Sequence, residues 1–357
     1  MTDLKAFNYF LLFKTGDAEI RAIENVLSLE RVLPIIELTR GRKSKIDKEG
    51  AIEKRLRKIE TIFQGKTVCF DLTTSSDLSN PTIDKLFDPN GGYEKWIDFL
   101  ISIKDGGHFK KIIPTIVLDI RDPQLVINLR AQTERLAQNF NTIAYRNNIY
   151  DGGCDDDIEI ISDIFNREGK ELVFIIDNDF ISPANYLSNV DTTVSRINRI
   201  RNKIKNVSFI VISTSFPRVV SDLTKYDVGE FAVLENDLNH KISNKINDSS
   251  IYFGDYGSIN PIRLDQVSFS NGWIPRIDVP TQNIIFFYKQ RRSGDDSYSQ
   301  AYINAAKRAI ADTRFPRSLE CWGTEQIRLC SQGYVPSSSP SFWISVRMNI
   351  FINQRMR

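Results

Sequence analysis

The sequence predicts an α/β fold, a (βα)8 TIM-like barrel followed by a C-terminal α+β cap. Three observations carry this prediction. Eight short apolar runs rich in β-branched residues recur through the first 255 of the 357 residues, amphipathic stretches separate them, and the cadence stops after Gly257, where Pro, Gly and Ser become frequent. Near-continuous apolar runs imply strands covered on both faces, and hence a parallel sheet with a crossover helix after each strand.

The runs begin with Tyr9 to Lys14 (YFLLFK), Val32 to Leu38 (VLPIIEL) and Thr67 to Leu72 (TVCFDL). They continue with Ile112 to Asp119 (IIPTIVLD), Asn141 to Arg146, Glu171 to Asp177 (ELVFIID), Val207 to Ser213 and Ser250 to Asp255. Pro34 and Pro114 lie early in their runs, where a strand loses little by lacking an N–H. Between the runs, Ala18 to Leu29 aligns Ile20, Ile23, Val26 and Leu27 on one helical face, and Ala51 to Phe63 aligns Ile52, Leu56, Ile59 and Ile62. An open doubly wound sheet would want a glycine-rich turn after its first strand, and Lys14-Thr15-Gly16-Asp17 offers no GxGxxG. A closed barrel over residues 1–257 is therefore expected, with 258–357 as the cap. The cap reads as strands at Trp273 to Val279 and Asn283 to Lys289, then helices at Tyr298 to Asp312, Glu320 to Ser331 and Phe342 to Asn353. A further helix is expected over Glu230 to Ile246.

Composition narrows the chemistry. Lys plus Arg number 47 against 45 Asp plus Glu, so the net charge of +2 provides no global basic field for nucleic acid. The two histidines, His108 and His240, exclude a histidine-rich metal centre, and the four cysteines lack CxxC spacing, which reads as free thiols in a reducing compartment. No run is long and apolar enough to span a bilayer and Met1 to Lys14 lacks a secretion signal, so a cytoplasmic protein without a membrane partner is expected.

In a βα barrel the strand ends gather on the face that carries the active site. Seven of the eight runs carry an ionisable residue at their last or next-to-last position: Lys14, Glu37, Asp71, Asp119, Arg146, Asp177 and Asp255. Five carboxylates on one face repel one another and call for cations or protons. Glu37, Asp71, Asp119 and Asp177 are thus candidate ligands of magnesium or manganese, and these four with Asp255 are the candidate catalytic acids and bases. A metal-free carboxylate pair acting on a glycosidic bond is the alternative. Lys14 and Arg146 are candidate phosphate clamps. Ser213, Thr214 and Ser215, expected just before a helix, would bind the same ligand through hydroxyls and backbone amides. Tyr256, set between Asp255 and Gly257, and Arg276 and Tyr288 from the cap complete the candidate ligand-binding set. Taken singly, each acid or hydroxyl has a structural reading as a helix cap or an ion-pair member.

The opening FLLFKTGDAEIRAIENV with RVLPIIEL, the Ser-Thr-Ser-Phe-Pro segment, FGDYG, WGTEQIRLCSQG and FWISVRMNI together resemble the bacterial and phage "beta family" proteins, from Tyr9 to Asn353. The resemblance implies a βα barrel and a role in conflict between bacterium and phage, since some members are encoded among phage-defence genes beside nucleases. It assigns no catalytic residues; Lys14, Glu37, Asp255 and Tyr256 are the matching positions carried over as site elements. The expected function is a hydrolase of a phosphate-bearing substrate in anti-phage defence. The alternative is a non-catalytic sensor that recognises a phage component or regulates a partner nuclease.

Overall fold

The computed structural model describes residues 3–152, 154–220, 226–246, 248–262, 272–292 and 297–357. Eight parallel strands close into a barrel: β1 (Tyr9–Lys14), β2 (Val32–Leu38), β3 (Thr67–Leu72), β4 (Lys111–Ile116), β5 (Thr142–Asn148), β6 (Glu171–Phe180), β7 (Val207–Thr214) and β9 (Ile251–Asp255). The first three coincide with the apolar runs that announce them. Three of the others shift where side chains beyond the apolar core decide. β4 stops at Ile116, leaving Asp119 outside the ladder, whereas β5 and β6 continue through polar residues to Asn148 and Phe180.

Every residue of β1 and β2 is buried, as strands wrapped on both faces require. Leu12, Leu33, Ile35, Phe70, Ile113, Ala144, Ile175 and Val211 are among the side chains that solvent does not reach. Closure falls between β1 and β9, with Phe10 opposite Gly254 and Leu11 opposite Asp255. Gly254 is required there, because a Cβ would stand 2.1 Å from the Phe10 carbonyl oxygen.

The helices follow the expected periodicity with shorter spans. α1 (Asp17–Glu24) stops before Leu29, and α2 (Glu53–Ile62) follows β2. α3 (Pro81–Leu86), α4 (Asn90–Asp105), α5 (Leu125–Asn139), α6 (Cys154–Glu168) and α7 (Tyr186–Arg201) alternate with the next strands. The triple aspartate Asp155, Asp156 and Asp157 lies in the first turn of α6, where the helix dipole favours negative charge. The arginines of α7 are held by protein groups. Arg196 is buried and donates to the backbone oxygens of Asn148, Ile149 and Asp151, and Arg199 pairs with Asp155.

The helix expected over Glu230 to Ile246 is present as α8 (Glu235–Lys245) but starts later, because Glu230 to Ala232 belong to a strand, β8 (Val228–Ala232). β8 pairs antiparallel with β11 (Ile284–Lys289), which pairs with β10 (Arg276–Pro280), giving a separate three-stranded sheet. α9 (Tyr298–Ala311), α10 (Trp322–Ser331) and α11 (Pro340–Arg355) complete the chain.

Two compact units emerge. The first holds residues 1–16, 30–213 and 237–256; the second holds 17–29, 214–236 and 257–357. The second unit therefore recruits α1 and β8 in addition to the C-terminal hundred residues. Its core joins Val279, Phe286, Tyr302, Ala305, Ala309, Ile327, Val346 and Ile350. Asn349 ties α11 to α1 by donating to the carbonyls of Ala22 and Asn25. Among the described residues, no helix is long and apolar enough to cross a membrane. Cys69, Cys321 and Cys330 are buried free thiols.

Candidate functional site

Register explains which strand ends meet. Lys14 lies opposite Glu37, and Glu37 opposite Asp71, so these three project from neighbouring strands on one face. Arg146 on β5 reaches across to them. Its Nη1 donates to Glu37 Oε2 at 2.9 Å and to Asp71 Oδ2 at 2.8 Å. Its Nε and Nη2 donate to Asp177 Oδ2 at 2.9 and 2.8 Å, and Nη2 also to the Tyr256 hydroxyl at 3.3 Å. All five N–H groups of the guanidinium thus have protein acceptors. The Tyr256 hydroxyl donates in turn to Asp177 Oδ2 at 2.5 Å. Lys14 Nζ stands 3.3 Å from Glu37 Oε2 and 5.8 Å from the centre of the Tyr256 ring. The cluster touches solvent mainly through Arg146, whose side chain is 19% exposed against 3% for Asp177.

The electrostatics separate these acids. Burial would raise the Glu37 carboxyl, but Lys14, Arg146 and the Thr73 hydroxyl overcome it and bring the pKa down to about 2. Asp71 moves the other way, because burial, reinforced by Glu37, exceeds the pull of Arg146. Burial lowers the affinity of Arg146 for its proton, yet Tyr256, Asp177, Glu37 and Asp71 hold it well above its ordinary range. Burial and the neighbouring Asp177 push the Tyr256 hydroxyl far upward. Three carboxyl groups face one guanidinium and one ammonium here, and of Glu37 and Asp71 it is Asp71 that holds its proton the more tightly.

Lys14, Glu37, Asp71, Arg146, Asp177 and Tyr256 are therefore brought together; the other candidates are not. Asp119, three residues beyond β4, is ion-paired with Arg121 at 2.9 Å. Asp255 lies opposite Leu11, on the face of β1 away from Lys14, and accepts from the Tyr9 hydroxyl. Ser213 shares that register with Asp255, and its buried hydroxyl has no hydrogen-bond partner. Thr214 accepts from the Phe216 amide, while Ser215 is bonded through both its amide and its hydroxyl to the Glu235 carboxylate. The helix these hydroxyls were expected to precede falls partly on residues 221–225, which lie outside the described residues. Arg276 is held by Asp278 at 2.7 Å and the Tyr288 hydroxyl by Asp312 at 2.9 Å, all within the second unit.

The divalent ion expected on Glu37, Asp71, Asp119 and Asp177 does not fit this arrangement. Arg146 takes the converging oxygens, Asp119 is elsewhere, and no group of three or more His, Cys, Asp or Glu among the described residues could hold a metal. The phosphate clamp expected of Arg146 meets the same obstacle, since its donors are already engaged. Sequence reasoning missed two residues. Thr73, just past β3, bonds Glu37. Asp179, two residues beyond Asp177, has a left-handed backbone (φ 54°) and a buried Oδ1 without a hydrogen-bond partner. The only hint of Asp179 was that the acidic text continues as Asp177-Asn178-Asp179 past the apolar run.

Fold and cluster together define a TIM-like barrel with an ionic hub built from its strand ends. The chain belongs to the Beta protein family, which matches residues 9–357. It is 26% identical over 356 residues to "Protein beta" of Enterobacteria phage P4, covering 98% of this chain and 93% of that protein. No solved structure gives a significant match.

Proposed function

We propose that this Beta-family barrel is a hydrolase acting in conflict between phage and bacterium, and that it works by metal-free acid–base chemistry at the Arg146 hub. The observation that carries the reading is the pairing of Glu37 and Asp71 on one nitrogen, Arg146 Nη1, with their carboxyls shifted in opposite directions. Neighbouring carboxyls shifted apart in this way divide the work: Asp71, the weaker acid of the two, serves as proton donor, and Glu37 stays ionised as base or nucleophile. Two acceptors on one nitrogen lie about 5 Å apart, the span of carboxyl pairs in retaining glycoside hydrolysis. The surplus of carboxylate and the engaged donors of Arg146 favour a polyhydroxylated substrate over the phosphate ester first expected. Asp71→Asn and Glu37→Gln, tested separately in a phage-challenge assay and against a panel of glycosides, should each abolish activity while the protein still unfolds cooperatively. Full activity in both variants would overturn the proposal.

One observation favours a second reading, a non-catalytic module that binds a phage component or a partner nuclease. A guanidinium whose five donors are all met by protein is built to be rigid, and rigidity alone suffices for recognition. In that case the two substitutions would alter partner capture and leave no turnover to lose.

A further inference from the structure

The near-neutral net charge conceals a split. Residues 257–357 carry thirteen Lys or Arg against seven Asp or Glu, and eleven of those thirteen are arginine; residues 1–256 carry more lysine than arginine and an acidic excess. Within the second unit, Arg317, Arg328 and Arg357 converge on the connection between α9 and α10, and Arg308 lies in the last turn of α9 that leads into it. Arg317 donates to the carbonyls of Ile310 at 2.9 Å and Asp312 at 3.3 Å. Arg328 donates to the Arg317 carbonyl at 3.1 Å, Arg357 to the Ser318 carbonyl at 2.7 Å, and Arg308 to the Lys289 carbonyl at 3.4 Å. Arg314 differs, being neutralised by Asp312 and Glu230, and Arg328 has Glu325 at 3.8 Å.

A carbonyl orients a guanidinium without cancelling its charge. Arg308, Arg317 and Arg357 are exposed, hold their forks in place through neutral partners, and leave further N–H groups for an anion. Lys307 is exposed beside them, and Glu320 is the exposed acid of the same connection. We propose that this face is a docking surface for nucleic acid, engaged through backbone phosphates rather than bases. Arginine forks match the oxygens of a phosphodiester backbone two at a time. Moreover, no large apolar side chain between Lys307 and Arg328 is among the exposed ones, so nothing there would enter a bilayer.

The test measures binding of the full chain to fluorescein-labelled single-stranded DNA, double-stranded DNA and RNA across a salt series. Duplex binding should weaken with a log–log slope of about −3, as three phosphate contacts imply. The double variant R317E/R357E should lose at least tenfold in affinity, and R317K/R357K should retain most of it with an unchanged thermal midpoint. Asp71→Asn should leave this binding intact, which separates its failure from that of the barrel reading. No binding to any of the three probes at low salt would overturn the proposal. So would unchanged affinity in R317E/R357E, or preferential capture of phosphatidylglycerol vesicles.

Discussion

Replacing Arg146 with methionine strands three buried carboxylates at once. Removing one partner from a buried ionic network costs roughly 3–5 kcal/mol, because the remaining charge stays desolvated. Urea unfolding should show a loss of that size, and a loss below about 1 kcal/mol would mean that Lys14 and added protons suffice for the acids. Acid titration carries a second expectation. Glu37 falls from an ordinary 4.5 to about 2 in the fold, so its contribution is present above about 4.5 and vanishes as pH falls toward 2. Glu37→Gln should flatten that limb of the stability profile. Asp71, shifted upward, contributes in the opposite sense and loses its contribution as pH rises. Asp71→Asn should accordingly be better tolerated at pH 7 than at pH 4, as thermal unfolding at the two values would show. Much of the hub was legible because an ionisable residue closing an apolar strand has few places to go but the barrel mouth. Asp255 and Asp119 were misplaced for reasons no single strand reveals. The face on which Asp255 projects depends on its register with β1, and the fate of Asp119 depends on where β4 ends.

At the level of elements, strands buried on both faces were easy to find and β8 was not. Its residues alternate between exposed and half-buried, and the following α8 lends the whole segment a helical rhythm. Val228–Ala232 is extended because β11 is there to pair with it, which is a tertiary fact. The seam between β1 and β9 offers a sharper experiment. Gly254→Ala would drive a methyl into the Phe10 carbonyl. Backbone cannot give way as a side-chain tip can, so a loss of roughly 1–3 kcal/mol is expected in chemical denaturation, and a neutral result would show that the seam can spread.

Across the whole molecule, the barrel closes by joining Phe10 to Gly254, and the second unit assembles from three separated pieces of chain. Contacts so distant in sequence form late, after much loop entropy has been lost. Refolding from urea, followed by the fluorescence of Trp96, buried and bonded to the Thr115 carbonyl, should show at least two phases; a single exponential would contradict this. The alternating architecture was legible over this range because each βα unit repeats the same signal. The membership of α1 in the second unit was not, since its apolar face matches α11 only once both are folded. A last consequence follows from the reach of Arg146. It bridges acids on the neighbouring strands β2 and β3 to one on β6, three places further round the ring. A mouth cross-braced in this way has little room to reshape itself around a visitor. Recognition there should resemble a key entering a finished lock, with a small entropic toll and nearly superimposable empty and filled states.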